Sequence, residues 1–327
     1  MACHKAGMHR EIFRGTGNQM SLLKAANESR ADDSKAREAR GDDECQQHHA
    51  HTGGRACHSS AEHVAEIVLD RPEALNAVST AMAMALSAAV ASVAADRSVR
   101  AVVLSSAVER AFCVGADLKE RNGFSDDQLR EQRPVTRAAY RSVLDLPMPT
   151  IAAVAGFALG GGFELALACD LVVADQTAVV GLPEVSVGVI PGGGGTQLLT
   201  RRVGWSRAAD LVFTARRLDA AEALALGCVD RVVPAGAART AALALAGTIA
   251  ANSPVGLRGA KAAMRSGFDT DLASGLDLEE AAWQAVAFSP DRAEGVRAFA
   301  ERRRPVWPDE PDEPPRDDSA RGLPSQP

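Results

Sequence analysis

No histidine occurs after position 63 of this 327-residue chain. All seven (His4, His9, His48, His49, His51, His58 and His63) lie at its start. A histidine-dependent triad or a histidine metal site is therefore excluded from the remainder, and acid–base work there falls to carboxylates. Aromatic residues make up only 4%, with Tyr140 the single tyrosine and Trp205, Trp283 and Trp307 the only tryptophans. A glycosidase also works with paired carboxylates, but aromatic platforms to hold a sugar are scarce here. After Lys35 the only lysines are Lys119 and Lys261, and the net charge is −6. That acidity argues against nucleic acid as the main partner. No run approaches the ~18 apolar residues of a membrane span. No apolar stretch opens the chain as a signal peptide would, and the early acids (Glu28, Asp32, Asp33, Glu38, Asp42, Asp43, Glu44) do not suit a transit peptide. The six cysteines, Cys3, Cys45, Cys57, Cys113, Cys169 and Cys228, form no disulfide framework, which points to a reducing, cytoplasmic compartment.

What is present divides the chain. Residues 1–57 are polar and aperiodic and read as a disordered extension. Within it Cys45, His48, His49, His51 and Cys57 with His58 fit no metal-binding spacing, and no metal is expected. The folded part begins near Glu62. Apolar runs at 63–69, 101–106, 150–155 and 171–174 read as buried strands, and 80–95 as a helix capped by Ser79. Residues 124–133 read as a charged, mobile loop, with a helix resuming at 134–145. Strand–helix alternation over 58–234 implies an α/β fold with a mostly parallel sheet. Residues 235–307 are Ala- and Leu-rich and helical, and 308–327 read as a disordered tail.

The stretch 150–199 carries two glycine runs and two glutamates, Glu164 and Glu184. Gly160-Gly161-Gly162 sits at a strand-to-helix turn, where backbone N–H groups can hold an anion or a developing oxyanion. No lysine follows either run as a P-loop demands, and the spacing is not G-x-G-x-x-G. Taken alone, the glycines equally suit tight helix–strand packing. Both glutamates lie among apolar residues, which raises a carboxyl pKa and suits an acid–base pair.

Several further motifs occur in order. They are Arg71-Pro72-Glu73-Ala74-Leu75-Asn76-Ala77, the run Ala111 to Glu120, Ile151 to Asp170, Gly181 to Gln197, Asn252-Ser253-Pro254 and Asp291-Arg292-x-Glu294-Gly295. Together they resemble the enoyl-CoA hydratase/isomerase (crotonase) family, in particular its methylglutaconyl-CoA hydratase-like branch, over about residues 62–307. The resemblance implies a crotonase-like ββα spiral core with a C-terminal helical trimerisation region. It implies hydration of a 2-enoyl-CoA to a 3-hydroxyacyl-CoA in fatty-acid or branched-chain amino-acid catabolism. Isomerisation or another reaction of a CoA thioester on the same fold is the alternative. Carried over by position, Glu164 deprotonates the attacking water, Glu184 delivers the proton to the α-carbon, and Ala116 and Gly161 form the oxyanion hole. Gly192 positions the water through its backbone. CoA falls to Ala74, Leu75, Val114 and Lys119, with Phe299 and Arg302 supplied by a neighbouring subunit. No separate cofactor is implied, since coenzyme A is part of the substrate; a homotrimer or dimer of trimers is. An RNA-binding relative carries a lysine stripe on the helix equivalent to 80–95. This helix has no Lys or Arg, so RNA binding is not carried over and an RNA-binding homologue stays only as a weaker alternative. The arginine and alanine bias suggests a bacterial source.

Overall fold

The computed structural model of the protein describes residues 55–61 and 63–308, with side chains from His63 onward. Residues 1–54 of the expected extension, with the Cys45–His51 part of its cluster, and 309–327 of the expected tail lie outside the described residues. The main sheet has six strands in the order β1-β2-β3-β5-β7-β10. They are Arg55–Ala61 (β1), Val64–Asp70 (β2), Ala101–Ser106 (β3), Thr150–Val154 (β5), Leu171–Asp175 (β7) and Arg231–Val233 (β10). All pairings are parallel except β1 with β2. A second, four-stranded sheet is built from Ala111–Cys113 (β4), Phe157–Leu159 (β6), Val179–Gly181 (β8) and Leu218–Asp219 (β9). The first strand corrects the expectation that the fold begins near Glu62: the sheet starts at Arg55.

The central strands read as continuous apolar runs because both faces are covered. Val102, Leu104, Ala152, Val154 and Val172 point into the larger core, with Met82, Leu86, Val90 and Val93 of Thr80–Ala95 (α1). The alternate residues Val103, Ile151 and Val173 meet Ala238, Ala242, Ala246 and Ala250 of Ala238–Ala250 (α8). Those alanines recur every four residues, so a small-residue stripe lies flat on the sheet.

Two short helices and a long one bear on the site. Leu118–Asn122 (α2) is capped by Asp117, Asp126–Leu144 (α3) by Ser125, and Gly161–Ala168 (α4) follows Gly160. The expected loop at 124–133 is instead the first two turns of α3. Ser125 and Gln128 form a capping box, and Asp126 and Asp127 suit the positive helix end. Pro134 lies inside this helix. The chain continues through Gly195–Val203 (α5), Trp205–Thr214 (α6), Ala220–Leu226 (α7), α8, Pro254–Phe268 (α9), Leu272–Ala287 (α10) and Pro290–Ala300 (α11). The last three leave Met264, Phe268, Leu272, Trp283, Phe288 and Phe299 exposed. Among the described residues no single helix is long and apolar enough to cross a membrane.

Candidate active site

The turn after β2 is organised by Asn76, which is fully buried with a left-handed φ of 58°. Its Nδ2 donates to Leu69 O at 3.2 Å, Ser106 Oγ at 2.8 Å and Phe112 O at 2.9 Å. Its Oδ1 accepts from Arg71 N at 2.7 Å. The turn so fixed meets the loop after β4, where Val114 N donates to Leu75 O at 3.3 Å. Ala74, Leu75 and Val114 are thereby brought together. Arg71 Nη1 then reaches Asp117 Oδ2 at 2.7 Å and Ala77 O at 2.8 Å. Burial pushes the Asp117 carboxyl up, but the Arg71 guanidinium and the Lys119 and Glu120 amides outweigh it and leave the pKa below the usual value.

Ala116 hangs between two anchors: Val78 N donates to Gly115 O at 2.7 Å, and Asp117 N donates to Val78 O at 3.1 Å. Among the described residues no acceptor takes the Ala116 N–H, nor that of Gly161. The two loops touch, since a Cβ on Gly115 would lie 2.9 Å from Gly161 N. Gly160 (φ +54°) turns the chain from β6 into α4, so the Gly161 N–H lies at the positive end of that helix. Both predicted oxyanion donors are thus unspent and adjacent.

Glu164, one turn into α4, is only 3% exposed. Its Oε1 accepts from Gly193 N and from Gly195 N, each at 2.7 Å. Burial raises its pKa above the usual carboxylate value; these amides, that of Gly192 and the Arg133 guanidinium oppose the rise. Glu184 opens a 3-10 turn, Glu184–Val187, and its Oε1 lies 3.2 Å from where a Cβ on Gly160 would stand. Its Oε2 is buried with no hydrogen-bond partner. Burial, aided by the negative field of Glu164, pushes its pKa to about 7. The two carboxyls therefore have opposed environments. One is held by N–H donors that favour the anion, and the other has a bare oxygen that favours the acid.

Gly192 has a contact that the motif reading did not foresee. Its carbonyl accepts from Arg133 Nη2 at 2.5 Å. Arg133 and Tyr140, two turns apart on α3, form a third wall of the site. Tyr140 is 7% exposed; a Cβ on Gly193 would lie 2.8 Å from its ring, and one on Gly161 would lie 2.1 Å from its hydroxyl. Sequence reasoning missed both residues. The available signal was their seven-residue spacing after a Ser-x-x-Gln box, which puts them on one helix face. Lys119 is exposed on α2. Phe299, 88% exposed, and Arg302 lie at the end of α11, which packs on α9 and α10.

Residues 59–310 match the family model described as enoyl-CoA hydratase/isomerase. The chain belongs to the enoyl-CoA hydratase/isomerase family. Methylglutaconyl-CoA hydratase of Homo sapiens is 42% identical over 259 residues, 77% of this chain and 76% of that protein. Enoyl-CoA hydratase domain-containing protein 2 of Mus musculus is 43% identical over 248 residues, 75% of this chain and 84% of that one. A solved structure of enoyl-CoA hydratase from Bacillus anthracis is 41% identical and superposes with a TM-score of 0.76, over 78% of this chain and 100% of that one. The α/β architecture described above is thus the crotonase fold. In this member of the family, Ala116, Gly161, Glu164, Glu184 and the Gly192–Gly195 loop converge on one place.

Proposed function

We propose that the protein hydrates 2-enoyl-CoA thioesters to 3-hydroxyacyl-CoA. The observation that carries this reading is a pair of buried glutamates, one held by backbone N–H donors and one with a bare oxygen, beside two unspent backbone N–H groups. In the forward reaction ionised Glu164 takes a proton from water, and the water oxygen bonds to C3 as the C2–C3 π electrons move toward the thioester. The enolate oxygen rests on the Ala116 and Gly161 N–H groups, and protonated Glu184 gives its proton to C2. Transfer of the proton from Glu164 back to Glu184 resets the pair, so one water is added and no other co-reactant is needed. The Leu75 and Val114 turn supports the CoA portion.

A panel of enoyl-CoA thioesters, straight and branched, with products resolved by mass, tests the reading. Addition of 18 mass units, the mass of one water molecule, is the expected result. A shifted double bond without mass change would replace hydration by isomerisation. The pH dependence is a second expectation. Activity requires Glu164 ionised and Glu184 protonated, and the pair titrates as a unit. Plotted against pH, kcat/KM should rise as Glu164 loses its proton and fall as pH passes the Glu184 value of about 7. A profile flat from pH 5 to 9 would remove the carboxyl pair from the chemistry.

A further inference from the structure

Arg133 is set apart from Arg130 and Arg141 on α3. Arg130 pairs with Asp127 and Arg141 with Asp145, each an acid on the same helix. Among the described residues Arg133 has no acid partner, and its one hydrogen bond is to the Gly192 carbonyl at 2.5 Å. That carbonyl belongs to the peptide unit whose N–H, on Gly193, donates to Glu164 Oε1 at 2.7 Å. A single rigid amide therefore lies between a guanidinium and the site carboxylate. A cation on the oxygen side of an amide polarises it and strengthens its N–H as a donor, because hydrogen bonds in a chain reinforce one another. Planarity also transmits position: a guanidinium that fixes the oxygen fixes the N–H.

We propose that Arg133 is a positioning residue for Glu164: its guanidinium orients and polarises the Gly192–Gly193 peptide, which holds the carboxylate ready to accept a proton from water. This rests on Glu164 being the base assigned above. The other ionisable groups facing Glu164 act differently. Glu184 adds negative field; Tyr140, on α3, is a buried phenol with a raised pKa; Cys113, on β4, is a buried thiol pushed up to about 12. Both of the last two stay neutral over the working range. Arg121, on α2, acts on the Tyr140 side of the site. Arg133 is the cation whose field is felt at Glu164.

The test compares Arg133→Leu, Arg133→Lys and the unchanged protein as full chains, with crotonyl-CoA as substrate. Loss of the cation should move the acid limb of kcat/KM to higher pH. A shift of about one unit makes Arg133→Leu up to roughly tenfold slower on the acid limb, with the deficit shrinking as pH rises above it. The loss should fall on kcat, with KM within about twofold, and Arg133→Lys should restore part of the shift. In a Glu164→Gln background, Arg133→Leu should add no pH-dependent loss. A deficit of the same size at every pH would overturn the proposal. Carboxyl-carbon NMR of Glu164 in the free protein provides a readout independent of turnover. An upward-shifted titration in Arg133→Leu supports the inference even where no enoyl-CoA is hydrated, an outcome that would count against the function alone. An unshifted one refutes it.

Discussion

Glu164→Gln lowers kcat by about 10²–10⁴-fold, the range of a lost general base, while KM stays within about fivefold. Glutamine is the informative replacement because of what it leaves intact. Its amide oxygen can still accept the Gly193 and Gly195 N–H groups that Glu164 Oε1 now takes at 2.7 Å. The loop therefore keeps its anchor, and the lost quantity is basicity. Stopped-time assays of hydration across substrate concentration give the split, and a melting curve alongside confirms the fold. A variant turning over at the unchanged rate would dismiss Glu164 as the base. A variant with raised KM and intact kcat would make it a binding group.

The second large effect concerns Gly161. A methyl group there would stand 2.1 Å from the Tyr140 hydroxyl and 3.4 Å from Gly115 Cα. No side chain tolerates the first distance, so either Tyr140 retreats or α4 shifts and takes the Gly161 N–H with it. Gly161→Ala is expected to cost about 10²–10³ in kcat, the loss typical of one oxyanion donor. The obstruction is the tip of a side chain, so it can be removed. In Gly161→Ala with Tyr140→Phe the nearest atom becomes the ring carbon at 3.1 Å. That double variant should regain at least about tenfold over Gly161→Ala, a coupling between neighbours that additive effects would not give. Tyr140→Phe alone should stay within about fivefold of the unchanged protein. Strict additivity in the cycle would mean that Tyr140 is not what confines Gly161. Gly162 is the contrasting neighbour: a Cβ there meets the Cys113 carbonyl at 1.9 Å, and backbone has no rotamer to yield.

The parts of this molecule that were legible beforehand are those whose cause is local. Strands β2, β3, β5 and β7 are apolar because both faces are covered, and the chain shows that directly. Glu164, Glu184, Ala116 and Gly161 stand beside turns marked by glycine, and the structure brings all four together. What escaped was set by tertiary context. Strand β1 has the polar sequence RACHSSA and sits at the sheet edge, held through its backbone by one neighbour. Strands β4, β6 and β8 have three residues each, too few to show a period. The opening of α3 is rich in charge and reads as a mobile loop. Nothing in the spacing separates Arg133, which reaches the Gly192 carbonyl, from Arg130, which merely pairs along its own helix.

The buried side chain of Asn76 ties the ends of three strands to the turn that carries Ala74 and Leu75. In terms of exchange kinetics, this turn cannot open as a surface loop does. To release the Arg71 amide, the Asn76 side chain must also leave Leu69, Ser106 and Phe112, which dismantles the strand ends. The Arg71 amide proton should therefore exchange with solvent as slowly as those of β3, although Glu73 two residues on is exposed. A mass-resolved exchange experiment that found the Arg71 amide fast would show the turn opening on its own. If it is slow, the turn that carries Ala74 and Leu75 is rigid before any ligand arrives.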